Sequence, residues 1–453
     1  MGTAIAWVPI KMTIKDKLRG KCDLTMEKPV LDGKTIVRIS LSFQQGGGVE
    51  QYLRDLNQSL LNRNSMTIIQ MHLSKDLDHH QETTEYIGMG RFIRVAIPAL
   101  FDTVSDWNSL KREKKKRGKR ISHFAREHVL YNPVLGFLFS KFKRARRVRN
   151  LGIDAKNAAQ IYEEIIQRYS PDLLVLHSIG SAQTAKMIDI SKNRKIPFAY
   201  INHYTNQKFH DFCVREQISG ASAVAGVTSA GIPKYLQKNF ISVFDGIDTD
   251  FFNKDELVQK NTLSYPLILL PARVSPGKGH ADLIRAAVKL KSQGVGFNLG
   301  FAGRIDSPEV LQYLKKLARI SGISRRVFFL GFCDQQELRA WYARSAVVVL
   351  PSRTEGFARV LLEAQAMSRP VVAYDVGGNS QCIKNNESGF ICRYGDTAKF
   401  ASLLIKLLCD EGLRKKMGEN GRNNVQTNYT LSHLAQRHEI FYSRIIDRPC
   451  TVE

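Results

Sequence analysis

The chain has 453 residues, of which 43% are hydrophobic, and its formal net charge is +25. This composition excludes a disordered, collagen-like or small disulfide-linked protein, and the length allows two or three domains. The charge indicates an anionic partner such as phosphate, nucleic acid or a membrane surface, without choosing among them. No apolar stretch has the length of a signal peptide core or a spanning helix, so we expect a cytoplasmic protein.

The seven cysteines include no CxxC pair and no Cys/His cluster with the spacing of metal ligands. An odd number of scattered cysteines predicts free thiols in a reducing compartment rather than a disulfide framework.

Apolar strands and amphipathic helices alternate along most of the chain, after a tail at residues 1–34 that has no clear period. The predicted strands are Thr35–Phe43, Met66–Leu73, Leu173–Leu176, Phe198–Asn202, Ala223–Val227, Leu267–Pro271, Phe297–Gly300, Val327–Leu330, Val347–Pro351, Val371–Tyr374 and Gly389–Cys392. The predicted helices are Val49–Leu61, Ala155–Tyr169, Ile232–Lys238, His280–Gln293, Leu311–Ile320, Gln335–Ser345, Phe357–Met367 and Ala398–Asp410.

Short apolar strands that alternate with helices predict an α/β fold with parallel sheets covered on both faces. Two series separate near residue 245, so we predict two doubly wound, Rossmann-like domains facing across a cleft. The first spans residues 35–243 with an insertion at 101–150, and the second spans residues 244–430. Residues 431–453 are expected to form a helix that packs back on the first domain. Ligands of such folds bind beyond the carboxyl ends of the strands.

The most informative segment runs from Pro351 to Met367, where a buried strand delivers Glu355 into a loop that precedes a helix. Gly356 permits close approach of the backbone to a ligand, and the free N–H groups of the helix suit phosphate. Glu363, two turns into the helix, is suited to accept hydrogen bonds from vicinal hydroxyls such as those of a ribose. The spacing alone is equally compatible with a capping Glu355 and a solvated Glu363.

Two cations follow the strand at 267–271, in the Pro/Gly-rich segment Ala272–His280. Arg273 and Lys278 at this strand end can grip a diphosphate, and arginine can do so with two parallel hydrogen bonds. The alternative is a basic surface loop. A third segment, Gly46–Gly48, follows a predicted strand. Its glycines either let the backbone approach a phosphate or a sugar closely or form a plain tight turn.

The run from Ser352 to Gly378 (SRTEGFARVLLEAQAMSRPVVAYDVGG) resembles the signature of glycosyltransferase family 4, which has the two-domain GT-B fold. Its two glutamates separated by seven residues and the segment ARVSPGKG match the motifs of that family. The resemblance covers residues 35–445, and it is dense after residue 240 and thin before it.

The resemblance implies roles for individual residues. Arg273 and Lys278 would stabilise the leaving diphosphate, Glu355 would hold hydroxyls of the donor sugar, and Glu363 would bind the ribose. His203 matches a histidine that faces the donor sugar, although a structural loop histidine is the alternative. The resemblance also places the following residues at the donor: Gly47, Gly48, Phe332, Cys333, Gly356, Phe357 and Ala358.

The resemblance further implies transfer with retention of anomeric configuration, without a metal or a cofactor. The expected donor is a UDP- or GDP-linked hexose, and the expected acceptor is a glycan or a lipid-linked glycan in polysaccharide or lipopolysaccharide synthesis. Asp248-Thr249-Asp250 has the form of a metal-binding DxD motif, but it lies in the turn that leads into the second domain, so no metal role is expected.

The sequence departs from the pattern of the family at Asp245, Ala358, Arg359 and Ser368-Arg369-Pro370. Asp245 stands where the family usually has asparagine, and we interpret this as structural because both residues tolerate the left-handed conformation. Arg359 is an additional cation next to the expected donor site, and the sequence does not indicate its effect.

About half of the excess charge lies in one segment, because residues 111–150 contain fifteen Lys or Arg and two Glu. The cations at 111–149 flank an aromatic stretch, which is typical of a segment lying on an anionic membrane. The alternative is a solvated insertion. A peripheral position on the cytoplasmic face of a membrane is therefore possible for this chain.

Two other functions are compatible with parts of the sequence. A nucleotide-sugar epimerase or a phosphorylase can have the same two-domain fold, although no setting for a pyridoxal-phosphate lysine is recognisable. A nucleic-acid-binding protein is suggested by charge alone and has no use for the glutamate pair, so no nucleic acid partner is expected.

Overall fold

The computed structural model describes residues 31–40, 48–74, 80–98, 156–177, 182–203, 217–218, 220–227, 232, 237, 240–254 and 263–447. The tail at 1–30, the basic segment 101–150 and Gly47 lie outside the described residues. Most of the helix predicted at Ile232–Lys238 also lies outside them.

The first half of the chain builds an eight-stranded sheet with the strand order β3-β4-β2-β1-β5-β6-β7-β8. All neighbours in this sheet pair in parallel except β3 and β4, which are antiparallel. The strands are β1 (Thr35–Ser40), β2 (Thr67–Ser74), β3 (Gln81–Ile87), β4 (Gly90–Pro98), β5 (Leu173–Leu176), β6 (Phe198–Asn202), β7 (Ala223–Gly226) and β8 (Phe240–Ser242).

Helices cover this sheet on both faces, and most side chains of its central strands are accordingly apolar and buried. They are α1 (Gly48–Leu61), α2 (156–169) and α3 (Ala182–Asn193). On one face, Leu53 and Leu56 of α1 pack against the sheet. On the other face, Tyr162 of α2 and Met187 of α3 join the buried side chains of the strands.

The second half builds a six-stranded, wholly parallel sheet with the order β11-β10-β9-β12-β13-β14. Its strands are β9 (Leu267–Pro271), β10 (Asn298–Ala302), β11 (Val327–Gly331), β12 (Ser345–Leu350), β13 (Val371–Tyr374) and β14 (Gly389–Cys392). Its helices are α4 (His280–Ser292), α5 (Pro308–Ile320), α6 (Gln335–Arg344), α7 (Arg359–Ala366), α8 (Asn379–Cys382), α9 (Thr397–Cys409) and α10 (Glu411–Asn428).

The predicted fold class is confirmed, because two separate sheets, one mainly and one wholly parallel, are each covered by helices. Several elements were not predicted from the sequence, and most of these are short or largely polar. They are β3, β4, β8, α3, α8 and α10.

The final helix, α11 (Leu431–Ile446), leaves the second sheet and packs against α1 of the first half. The carboxylate of Glu439 is fully buried there and accepts hydrogen bonds from Arg63 Nε at 2.9 Å and from Asn64 Nδ2 at 2.9 Å. Deeper in the same interface, the buried guanidinium of Arg38 donates to the hydroxyl of Tyr442 at 2.9 Å. The end of the chain therefore completes the core of the first half.

We expect Arg63→Ala to lower the free energy of unfolding by about 3 kcal/mol, because it leaves the buried Glu439 carboxylate without its cation. Urea denaturation monitored by circular dichroism measures this change. Lys415→Ala is the matched control, since its ion pair with Glu411 is exposed and should contribute little to stability. Equal effects of the two substitutions would contradict the importance of this contact.

Candidate functional site

Lys278 and Glu355 meet where two loops leave neighbouring strands of the second sheet. Lys278 lies in the loop between β9 and α4, and Glu355 lies in the loop between β12 and α7. Lys278 Nζ donates to Glu355 Oε1 at 2.7 Å, and both side chains remain partly exposed. The structure thus brings together a cation and a carboxylate at the strand ends where the sequence places them.

Backbone contacts hold these two loops against each other. Gly279 has φ +77°, and a Cβ at this position would lie 1.9 Å from the carbonyl oxygen of Pro351. The backbone N–H of Arg353 donates to the carbonyl oxygen of Gly277 at 2.8 Å. Only glycine accommodates this conformation and this approach at position 279, so the SPGKG segment is required to seat Lys278 beside Glu355.

Arg273 lies at the same edge of the sheet but makes a different ion pair. Its Nη1 donates to Asp306 Oδ2 at 2.8 Å, and Arg304 Nε donates to the other oxygen of Asp306 at 2.9 Å. About half of the Arg273 side chain is exposed. The two predicted phosphate-binding cations therefore have separate carboxylate partners in this structure.

The loop after Glu355 leads into α7 without a side-chain cap. Ala358 precedes the helix, and its side chain makes no capping hydrogen bond to the first turn of α7. Gly378 N–H donates to the carbonyl oxygen of Gly356 at 2.9 Å, and the ring of Phe357 packs near Phe244. The start of α7 is thus held in place by its neighbours and can accept an anion.

Glu363 is placed differently from Glu355, because its carboxylate is buried within the protein. Tyr342 OH donates to Glu363 Oε2 at 2.8 Å, and Arg359 Nε lies 3.9 Å from Glu363 Oε1. Burial raises the pKa of Glu363 despite the opposing charge of Arg359. The alternative of a solvated face residue is therefore wrong, and the ribose role of Glu363 stays a prediction.

Arg359 is the centre of a buried ionic cluster that joins the two halves of the chain. Its Nη2 donates to Asp55 Oδ2 of α1 at 2.5 Å, and its Nη1 donates to the carboxylate of Asp245. Only 7% of the Arg359 side chain is exposed. Burial lowers its pKa, but the attraction of Asp245, Asp55 and Glu363 outweighs this effect and leaves the pKa raised. The side chain that departs from the family pattern is thus an interdomain contact rather than a free cation.

Asp245 is one of the carboxylates of this cluster. The interpretation that it replaces asparagine in a left-handed turn is wrong, because Asp245 is not among the residues with positive φ. It supplies a carboxylate to Arg359 instead, and it accepts a hydrogen bond from the N–H of Gly246 at 2.8 Å. Burial, partly offset by Arg359, raises its pKa to about 6.

Three carboxylates surround one guanidinium in this cluster, and burial raises the pKa of each of the three. A carboxyl group whose pKa is higher in the folded state than in the unfolded state binds its proton more tightly in the folded state. Its contribution to stability is complete at a pH below the unfolded pKa, and it is lost as the pH rises through the folded pKa. For Asp245, the loss falls between about pH 4, its unfolded value, and pH 6 or slightly above.

We expect the wild-type chain to lose about 1 kcal/mol of stability relative to Asp245→Asn between pH 5 and pH 7.5, because the amide does not titrate. Urea unfolding of both proteins across this range measures the difference in slope. Asp250→Asn, which changes an exposed carboxylate five residues away, should keep the wild-type slope. A common slope for the wild type and Asp245→Asn would show that the cluster holds no proton in this range.

A group of aromatic and imidazole rings lies at the carboxyl ends of β5 and β6 in the first half. His177 follows β5 and His203 follows β6, and His177 Nδ1 lies 2.8 Å from His203 Nε2. The ring of Tyr52 meets His203 edge-on at 5.1 Å, and the Tyr52 hydroxyl lies 2.6 Å from His438 Nε2 of α11. Burial lowers the pKa of His203 to about 4, so this imidazole is neutral at physiological pH.

The remaining predicted donor residues fall at the ends of elements. Phe332 and Cys333 follow β11, where the ring of Phe332 is 61% exposed and Cys333 is partly buried. Burial raises the pKa of the Cys333 thiol. Gly48 is the first residue of α1, while Gly47 lies outside the described residues.

Asp248 of the DxD sequence forms a turn. Its Oδ1 accepts the N–H groups of Asp250 at 3.1 Å and Phe251 at 3.0 Å. In the described part of the chain, no group of three or more His, Cys, Asp or Glu side chains is arranged to hold a metal ion. Within the same residues, no helix combines the length and apolar character needed to cross a bilayer.

Sequence patterns did not reveal several residues that shape this site. Asp55 contacts Arg359, Tyr342 contacts Glu363 and Tyr52 contacts His203, each from a distant part of the chain. His438 in turn contacts Tyr52. Tyr52 belongs to the segment GGGVEQYL at 46–53, which resembles the glycine loop of the family without indicating a role for the tyrosine, and the other three residues lie outside the quoted motifs. The spacing of apolar positions on α1 places Asp55 on the helix but does not indicate its partner.

Comparison with known proteins gives three kinds of similarity. Residues 253–424 match the family described as Glycosyl transferases group 1. The chain is 30% identical over 217 residues to N-acetyl-alpha-D-glucosaminyl L-malate synthase of Bacillus anthracis, covering 46% of this chain and 55% of that protein. It is 25% identical over 279 residues to the lipopolysaccharide core biosynthesis mannosyltransferase LpcC of Rhizobium leguminosarum bv. viciae, covering 60% and 78%.

The chain therefore spans about half the length of the first of these curated relatives. Among solved structures, a glycosyltransferase from Rickettsia africae ESF-5 superposes with a TM-score of 0.64 at 20% identity, covering 92% of this chain and all of that one. Anabaena Alr3699/HepE in complex with UDP and glucose gives a TM-score of 0.64 at 16% identity, covering 90% and 99%. The chain has the two-domain GT-B fold of these structures, and its second half carries the match to glycosyl transferases group 1.

Proposed function

We propose that this chain is a retaining, metal-independent glycosyltransferase. It transfers a hexose-type sugar from a UDP- or GDP-linked donor to a glycan or lipid-linked acceptor, in the synthesis of a polysaccharide or lipopolysaccharide. The observation that carries the proposal is the contact of Lys278 with Glu355 at the neighbouring ends of β9 and β12. The match of residues 253–424 to a glycosyltransferase family supports it.

The chemistry requires stabilisation of a leaving diphosphate. Cleavage of the bond between the anomeric carbon and phosphate builds negative charge on the diphosphate, and fixed cations and dipoles can stabilise that charge. Lys278 and the uncapped start of α7 flank the Glu355 loop, and the partly exposed Arg273 lies at the adjacent strand end. In this proposal, the Lys278 ammonium binds phosphate oxygens of the donor instead of Glu355. Glu355 then accepts hydrogen bonds from hydroxyls of the sugar.

Front-face attack is the mechanism that these groups favour. Retention by double displacement needs a carboxylate nucleophile next to the anomeric carbon. Glu363, Asp245 and Asp55 are held around the buried guanidinium of Arg359, and Glu355 is expected to bind hydroxyls. We therefore propose that the acceptor attacks on the side of the departing phosphate, which accepts the acceptor's proton.

We expect Lys278→Ala to lower turnover about 10²–10³-fold, because it removes a preorganised charge from the leaving group. Glu355→Ala should lower turnover by a similar factor, and EDTA should leave turnover of the wild type unchanged. Turnover is measured as release of UDP or GDP in the presence of acceptor, which also separates transfer from epimerisation.

Lys316→Ala is the control for this experiment, because Lys316 is an exposed lysine of α5 away from both loops. A prior thermal-shift screen of UDP, GDP and their hexose conjugates selects the donor, since a ligand of the native state raises the melting temperature. Unaltered turnover in Lys278→Ala, or full inhibition by EDTA, would refute the proposed diphosphate site.

Docking of the basic segment on a membrane remains part of the proposal, because lipid-linked acceptors lie at a membrane surface. Fifteen cations in residues 111–150 should give strong binding to anionic lipid, at about 1 kcal/mol per cation near the surface. We expect the full chain to co-sediment with vesicles containing phosphatidylserine and a chain lacking residues 108–150 to stay in the supernatant. Neutral phosphatidylcholine vesicles are the control, and equal binding of the two chains would refute membrane docking through this segment.

A further inference from the structure

The contact between His177 and His203 has two possible hydrogen-bond directions, and each gives His203 a different chemical character. Both pKa values are lowered, chiefly by burial, so each ring carries one proton at physiological pH. Either His177 Nδ1–H donates to His203 Nε2, or His203 Nε2–H donates to His177 Nδ1. The first direction leaves the His203 proton on Nδ1, and the second leaves Nδ1 as an acceptor.

The neighbouring rings restrict the choice. His438 Nδ1 lies 2.9 Å from the carbonyl oxygen of Leu434, which can only accept, so the His438 proton is on Nδ1. His438 Nε2 must then accept, and the Tyr52 hydroxyl donates to it at 2.6 Å. The proton of Tyr52 is therefore committed to His438 and is not donated to His203.

The Nε2 nitrogen of His177 indicates which of the two rings donates the hydrogen bond. His177 is 2% exposed, and its Nε2 has no hydrogen-bond partner in the described part of the chain. If His203 were the donor, this nitrogen would carry a buried N–H group without a partner, and such orphaned donors are rarer than unpaired acceptors.

We propose that His177 is a positioning residue that donates from Nδ1 to His203 Nε2 and thereby fixes His203 as a neutral donor through Nδ1–H. His203 is the more exposed of the two rings. Resting on the proposed function, this assignment makes His203 a hydrogen-bond donor to a hydroxyl of the donor sugar. A neutral N–H group binds a hydroxyl oxygen without adding a charge next to the cationic carbon formed in the reaction.

The tautomer can be measured without substrate. The full chain is labelled with ¹⁵N in the histidine rings, and long-range ¹H–¹⁵N spectra distinguish protonated from unprotonated ring nitrogens. His203→Asn and His177→Asn assign the two rings by the loss of their signals. We expect a protonated Nδ1 and an unprotonated Nε2 for His203. A protonated Nε2 of His203 would overturn the proposal.

Two substitutions of similar size test whether His177 sets this tautomer. The amide of His177→Asn can still donate to His203 Nε2, whereas His177→Leu cannot. We expect the His203 pattern to persist in His177→Asn and to change to a mixture or to the Nε2–H form in His177→Leu. An unchanged pattern in His177→Leu would show that His177 does not position His203.

Activity provides a separate readout. Loss of one oriented hydrogen bond should lower kcat/KM of His177→Leu about tenfold, which corresponds to about 1.4 kcal/mol. His177→Asn should stay close to the wild type, and the thermal shift by UDP or GDP, which lack the transferred hexose, should be equal in all variants. Transfer that is unaffected in His203→Asn would refute the role at the sugar. Failure of the wild type to use any nucleotide sugar would refute the proposed function, whereas the tautomer measurement would remain valid.

Discussion

The buried guanidinium of Arg359 is the interaction on which the relation of the two halves depends. It lies at the first residue of α7, and it binds Asp55 of α1 and Asp245 of the connecting segment. A buried charge needs partners because its desolvation costs several kcal/mol. These two partners come from distant parts of the chain, so this side chain links α1 and the connecting segment to α7. The start of α7, where an anion is expected to bind, is therefore joined directly to the first half of the chain.

A second constraint acts on the loops that carry Lys278 and Glu355. The left-handed conformation of Gly279 and its approach to Pro351 bring the β9–α4 loop over the end of β12. The ion pair is then made between groups whose backbones are already in contact. This preorganisation is what a site for a transient negative charge requires, since the protein does not reorganise when the charge forms. The glycine-rich sequence is thus explained by packing as well as by ligand access.

The strands of the second sheet could be predicted from sequence because they are continuous apolar runs bounded by polar loops. Predicted and observed bounds agree at β9, β13 and β14. The proximity of Lys278 and Glu355 could also be anticipated, because β9 and β12 are neighbours and both residues follow strand ends. By contrast, β3 is largely exposed and polar, and it is ordered by pairing with β4 rather than by an apolar pattern. A strand that is ordered by its pairing partner cannot be predicted from its own segment of the sequence alone.

The surroundings of Glu363 and Arg359 could not be predicted for a related reason. Asp245 and Asp55 are separated from Arg359 by 114 and 304 residues, and no local pattern marks them as its partners. The direction in which a charged side chain leaves a helix depends on such partners. The motif could place Glu363 on α7, but only the tertiary structure shows that its carboxylate is enclosed by Tyr342 and Arg359.

The position of α11 has a consequence for synthesis of the chain. Leu434, Phe441 and Tyr442 complete the apolar layer that α1 forms on the first sheet, although they are translated almost 400 residues after Tyr52. The first half therefore emerges from the ribosome with one apolar face incomplete, and it stays so until the whole second half has been made. Exposed apolar surface of this kind favours association with chaperones or with other nascent chains. Emergence of α11, rather than emergence of the eight strands, is the step at which this half becomes fully folded.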